Sequence, residues 1–130
     1  MKPEEMRVVL TGATGGIGRD IARELAACGA NLLLVGRSTE RLADLERELR
    51  MNGADVSHVA ADVGQYEGIT RVVEAAAGMP GGPANVLVNN AGIAVVGTVE
   101  DTSLADWRAT QNVNLDAVFL GTREVIKVMK

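Results

Sequence analysis

The chain has 130 residues, a formal net charge of −4 and 47% hydrophobic side chains, enough for one domain with a genuine core. The acidic balance argues against a nucleic-acid partner, since phosphate neutralisation needs a basic face. Cys28 is the only cysteine and His58 the only histidine, so neither an internal disulfide nor a His/Cys metal set is available.

The opening residues Met1–Glu5 are acidic and contain no apolar leader segment, and no apolar run approaches the roughly 20 residues of a membrane span. A reduced cysteine suits the cytoplasm. The expectation is a cytoplasmic domain over residues 1–130, with no membrane, nucleic-acid or metal partner. With only Tyr66, Trp107 and Phe119 as aromatics, its core must be aliphatic.

Along the chain, strand and helix patterns alternate. Arg7–Thr11 reads as a short buried strand. Helical spacing follows from Gly16 to about Cys28, with Ile17, Ile21, Leu25 and Cys28 on one face, which predicts a core position for Cys28. Gly29 stands where a left-handed helix cap belongs. Leu32–Val35 is apolar without alternation, as in a strand covered on both faces, and Gly36-Arg37-Ser38 ends it.

Thr39–Met51 predicts a second helix with Leu42, Leu45 and Leu49 inward, closed by Gly53. Val56–Ala60 predicts a third strand, in which His58 is partly buried. Gln65–Ala77 predicts a third helix with Ile69, Val72 and Val73 on its apolar side, and Asp62 is a candidate N-cap for it. Gly78–Pro83 is a loop by composition, and Val86–Val88 predicts a fourth strand. After an irregular connection from Gly92 to Val99, Ser103 starts a helical stretch that runs through Trp107 to Met129. Trp107 and Phe119 read as packing residues there. This alternation predicts an α/β fold with about four parallel strands, doubly wound with helices on both faces.

Chemistry concentrates in the run Thr11-Gly12-Ala13-Thr14-Gly15-Gly16-Ile17-Gly18, set where a strand turns into a helix. Gly12 permits a tight turn, Gly16 admits a phosphate close to the backbone, and Gly18 lets the helix approach the sheet. The unpaired amides and partial positive charge of the helix start suit a dinucleotide diphosphate. The spacing and the missing lysine exclude a P-loop.

This glycine run resembles the cofactor motif of the short-chain dehydrogenases/reductases. Three further segments resemble that family in the same order. They are Asp62-Val63 after the third strand, Asn89-Asn90-Ala91-Gly92 after the fourth, and Asn112-Val113-Asn114-Leu115 in the last helical stretch. The resemblance spans essentially the whole chain and implies a Rossmann-type sheet. It also implies that Gly12, Thr14, Gly16, Ile17 and Gly18 hold the diphosphate of a nicotinamide dinucleotide. Asp62 and Val63 would contact the adenine, and Asn90, Ala91 and Gly92 the ribose. Asn90 has a second reading, as a bridge between backbone groups of neighbouring strands.

Asn114 would be the family's helix asparagine, which bends its helix and holds a proton-relay water through its backbone. By propensity alone, Asn112 and Asn114 read as ordinary polar groups on a helix surface.

Arg37 and Ser38 stand where many NAD-binding members place a carboxylate. A guanidinium attracts a 2′-phosphate that a carboxylate would repel, so NADP(H) is favoured over NAD(H). Ser38 either donates to that phosphate or caps the helix that follows.

The family's Tyr-x-x-x-Lys pair has no match, because Thr70 stands four residues after Tyr66, the sole tyrosine. The resemblance therefore implies the amino-terminal, cofactor-binding portion of an oxidoreductase acting on a carbonyl or alcohol. A non-catalytic dinucleotide-binding module and an interaction subunit are the alternatives. In the family the last helix commonly packs on its copy in another subunit, so a homo-oligomer is expected. The fourth strand would also keep one unpaired edge.

Overall fold

The computed structural model describes all of residues 1–130. After a single 3-10 turn at Pro3–Glu5, the elements are β1 (Arg7–Thr11), α1 (Gly16–Ala27), β2 (Asn31–Gly36), α2 (Thr39–Met51) and β3 (Val56–Ala60). Then come α3 (Tyr66–Ala77), β4 (Val86–Val88), α4 (Leu104–Gln111), a π-helical segment at Asn112–Asp116, and α5 (Ala117–Val125). No helix is long and apolar enough to cross a membrane.

The four strands form one parallel sheet in the order β3-β2-β1-β4. Leu10 of β1 stands opposite Leu34 of β2 on one side and Val88 of β4 on the other. The chain winds outward through β2 and β3, then returns to the far side of β1. The winding reverses between β1 and β4, where sheets of this kind form a crevice at the carboxyl ends of their strands.

Two aliphatic layers sandwich the sheet because successive strand residues face opposite sides. Val8, Leu10, Leu32, Leu34 and Val56 pack on Ala22 of α1 and on Leu42, Leu45 and Leu49 of α2. Val9, Leu33 and Val35 pack on Val72 and Ala76 of α3 and Val125 of α5. Each buried leucine or valine of this kind contributes about 1.5–3 kcal/mol by leaving water. No aromatic side chain is buried. β4 is only half-buried, as befits an edge strand.

Several expectations need correction. Cys28 is exposed just past the end of α1, and Ile17 is 72% exposed. The buried residues of α1 are Gly18 and Ala22, since only small side chains let this helix lie close to the sheet. Trp107 and Phe119 are also exposed, at 56% and 62%, because no element covers the outer faces of α4 and α5.

The last helical stretch is three pieces rather than one, and regular α-helix ends at Val125. Asp62 does not cap α3, whose N-cap position is Gln65. Its carboxylate instead accepts from the Gly64 amide at 2.9 Å. Gly29 adopts the expected left-handed conformation, with φ 89°.

Candidate functional site

Gly12 leaves β1 with φ 62°, a left-handed turn that other residues adopt only under strain. The Ala13 amide then donates to the Val35 carbonyl at 3.1 Å and ties the loop to β2. A Cβ on Gly18 would lie 2.0 Å from the Gly12 carbonyl oxygen, so the first turn of α1 sits directly against this bend. Around Gly16, by contrast, no atom stands within 4 Å of where a Cβ would be. The amides of Gly16, Ile17 and Gly18 donate to no acceptor in the chain. Gly15 occupies the N-cap position and provides no capping side chain. The helix therefore presents three unmet donors at its positive end, and the backbone there is open at Gly16.

Across the rim, Asn90 Nδ2 donates to the Gly12 carbonyl at 3.0 Å, tying the loop after β4 to the turn after β1. Thr11 Oγ1 accepts from the amides of Asn90 and Ala91, each at 3.0 Å, and lies 3.4 Å from the Val88 carbonyl, to which it donates. Thr11 is the one buried polar side chain of the core, 6% exposed. Its role was missed in the sequence, although a lone hydroxyl ending an apolar strand was the available signal.

Asn114, in the π-helical segment, clasps one residue of the same loop through both halves of its amide. Nδ2 donates to the Ile93 carbonyl and Oδ1 accepts from the Ile93 amide, both at 2.8 Å. Two positions earlier, Asn112 Nδ2 donates to the Gly64 carbonyl at 2.7 Å. The two asparagines are thus strap points between the helix and the rim loops, not ordinary surface groups. A π-bulge, frequent at functional sites, sets their side chains off the regular helical spacing.

A pocket of about 270 Å³ opens between these pieces, with Gly12, Arg37, Asp62, Val63, Gly92 and Asn112 on its wall. Arg37 is exposed and enters no ion pair. Ser38 Oγ caps α2 by accepting from the Arg41 amide at 3.2 Å, which leaves its hydroxyl proton free to donate. Thr14 lies beside the end of β2, its hydroxyl 3.6 Å from where a Cβ on Gly36 would be. A tighter apolar gap of about 20 Å³ between α3, β4 and α5 has room for little more than one water.

His58 Nδ1 is 3.3 Å from Glu46 Oε1 on α2. A hydrogen bond from Arg23 holds the Glu48 carboxyl below the usual carboxylate range, and hydrogen bonds from Lys127 and Arg123 do the same to Glu124.

The family model for short chain dehydrogenase matches residues 6–130. The NADP-dependent (R)-specific alcohol dehydrogenase of Lentilactobacillus kefiri is 38% identical over 126 residues, covering 94% of this chain and 48% of that enzyme. Among solved structures, L-sorbose reductase from Gluconobacter frateurii, complexed with NADPH and L-sorbose, superposes with a TM-score of 0.89 at 34% identity. That match covers 95% of this chain and 47% of the reductase. A short-chain dehydrogenase/reductase from Burkholderia phymatum in complex with NAD gives a TM-score of 0.91 at 31% identity, covering 99% of this chain and 46% of its own. The chain spans about half the length of each of these relatives.

Proposed function

Because the chain belongs to the short-chain dehydrogenase family, we propose that it forms the cofactor-binding portion of an NADP(H)-dependent oxidoreductase acting on a carbonyl or alcohol. The three unmet amides of Gly16, Ile17 and Gly18, set at the rim where the sheet winding reverses, support this most directly. Free donors at the positive end of a helix suit a diphosphate, and the bare backbone at Gly16 admits its close approach. The residues present fit a dinucleotide, which would supply hydride chemistry at its nicotinamide ring.

In this reading Gly12 and Thr14 shape the turn that carries those amides. Arg37 and the Ser38 hydroxyl receive the 2′-phosphate, Asp62 and Val63 line the adenine pocket, and Asn90, Ala91 and Gly92 run beside the ribose. The unpaired Arg37 supports a preference for NADP(H) over NAD(H), a distinction the fold does not make, since relatives with either cofactor share it. Asn114 fixes Ile93 and would take part in a proton relay together with the family's Ser and Tyr-x-x-x-Lys groups. Those have no match within these 130 residues, whose only tyrosine, Tyr66, is followed four residues later by Thr70. The chain alone is therefore expected to bind cofactor without turning over. Leu115, Phe119 and Ile126, exposed at 62%, 62% and 45%, form a surface suited to a second copy of the last helix.

Fluorescence titration of the pure chain with NADPH and NADH, followed by a turnover assay, tests the reading. Saturable binding with NADPH tighter than NADH is the expected result. Failure to bind either compound overturns it.

A further inference from the structure

Gly64 lies on the pocket wall and is gripped from two sides. Its amide donates to Asp62 Oδ1 at 2.9 Å, and its carbonyl accepts from Asn112 Nδ2 at 2.7 Å. There is no slack between these partners. A Cβ on Gly64 would lie 2.9 Å from Asn112 Nδ2, 3.1 Å from Asp62 Oδ1 and 3.3 Å from Val113 Cγ2. Residue 62 is anchored through its backbone as well, since the Asp62 carbonyl accepts from the Gln65 amide at 3.1 Å. It packs hard against α3, where a Cβ on Gly68 would meet the Asp62 carbonyl oxygen at 1.9 Å. With the main chain so confined, the orientation of the Asp62 carboxylate depends on where the Gly64 amide points. That in turn depends on the hold at the Gly64 carbonyl.

We propose that Asn112 is a positioning residue for the adenosine half of the cofactor, acting through Gly64 to aim the Asp62 carboxylate into the pocket. The inference rests on the cofactor reading above and deepens it at a residue that need not touch the ligand. One carboxylate oxygen of Asp62 is occupied by the Gly64 amide. The other remains available to accept from a base amine or a ribose hydroxyl, and a carboxylate held in advance binds such a donor without first losing rotamer freedom. The strap spans 48 residues of sequence and joins the π-helical segment to the loop after β3. It thereby couples the last helical stretch to the opposite lip from the one that Asn114 holds at Ile93.

The test is a double-mutant cycle in the 130-residue chain, read by titration with 2′,5′-ADP, which carries the adenosine half alone. Asn112→Leu removes the donor on the same branched heavy-atom skeleton and adds no charge beside Asp62. Asn112→Ala serves if the leucine variant melts early. Circular dichroism confirms that each variant is folded. Either substitution is expected to weaken 2′,5′-ADP about fivefold, the usual worth of one hydrogen bond. In an Asp62→Ala background the same substitution should have no further effect, whereas in an Arg37→Ala background the full fivefold loss should persist. Amide exchange at Gly64 should also accelerate in the Asn112 variants. An unchanged affinity overturns the inference, as does a fivefold loss that persists without the Asp62 carboxylate. If the parent chain binds no 2′,5′-ADP, the cofactor reading itself fails, an outcome distinct from binding that ignores Asn112.

Discussion

Thr11 Oγ1 accepts from the backbone amides of both Asn90 and Ala91 at 3.0 Å, and so joins the end of β1 to the loop after β4 through a single hydroxyl. β4 is only three residues long and pairs with β1 alone. Much of what holds the rim loop to the sheet is therefore this hydroxyl and the Asn90 amide.

Thr11→Val keeps the shape of the side chain but strands the Ala91 amide in a part-buried site, while the Asn90 amide keeps only its 3.1 Å bond to the Val88 carbonyl. One unsatisfied buried donor costs about 1–3 kcal/mol, so the variant should lose roughly 2 kcal/mol of stability. Thr11→Ser, which keeps the oxygen, should lose less than about 1 kcal/mol. Urea denaturation of the three proteins measures both differences.

Gly16 and Gly18 separate folding from binding. Alanine at 18 drives a Cβ to 2.0 Å from the Gly12 carbonyl oxygen, and relieving that contact should cost about 2 kcal/mol as the helix shifts. Alanine at 16 enters open space and should leave stability equal or raise it by up to about 1 kcal/mol. The same methyl would stand where a diphosphate must approach the backbone. Gly16→Ala should then weaken NADPH at least tenfold, through loss of charge-assisted hydrogen bonds. A stable Gly16→Ala chain with unaltered NADPH affinity would place the dinucleotide elsewhere.

Arg37 carries the distinction between the two cofactors. A hydrogen bond between charged groups contributes about 1.5–3 kcal/mol, so Arg37→Ala should weaken NADPH by tenfold or more and leave NADH nearly unchanged. Parallel titrations reveal this as convergence of the two affinities.

The Arg23–Glu48 pair joins α1 to α2, with Nε 2.9 Å from the carboxylate. The Arg23 hydrogen bond lowers the Glu48 pKa below its ordinary 4.5. The folded state then favours the ionised form, so the pair stabilises the fold above the ordinary carboxylate pKa, and that contribution fades as pH falls through the lowered folded value. Wild type should melt slightly above Glu48→Gln at neutral pH, and the two should converge as acidification passes the lowered folded value. Because both partners are solvent-accessible, the gap should also narrow in high salt. Thermal melts across pH and salt check this.

Strands and inner helix faces were legible because burial imposes a period. Leu42, Leu45 and Leu49 mark one face of α2, and the unbroken Leu32–Val35 run marks a strand covered on both sides. Ile17 and Cys28 misled for a physical reason. An apolar stripe predicts burial on average, but close approach of α1 to the sheet selects the small Gly18 and Ala22 instead. The glycine loop was legible because its chemistry is local. Thr11, Asn112 and Asn114 were harder, since their partners lie 79, 48 and 21 residues away and become visible only when the sheet brings the loops together. The π-helical segment belongs with them, because those distant acceptors reward its altered spacing.

The exposed stripe on the last helical stretch should make the chain self-associate. Leu115 and Phe119 lie four residues apart, and Ile126 falls two turns further along, so the three share a face. Arg123 stands over the Phe119 ring at 5.6 Å and covers part of it, but Phe119 remains 62% exposed. Around Phe119, Val118, Thr122 and Ile126 line a shallow groove into which a second copy could seat the same residues. Replacing Phe119 and Ile126 by lysine puts like charges at the centre of such a contact without touching the core. Light scattering should show the parent chain growing in mass with concentration and the F119K/I126K chain remaining a monomer with an unchanged circular dichroism spectrum. A parent chain that stays monomeric at high concentration would show that this face is not self-complementary.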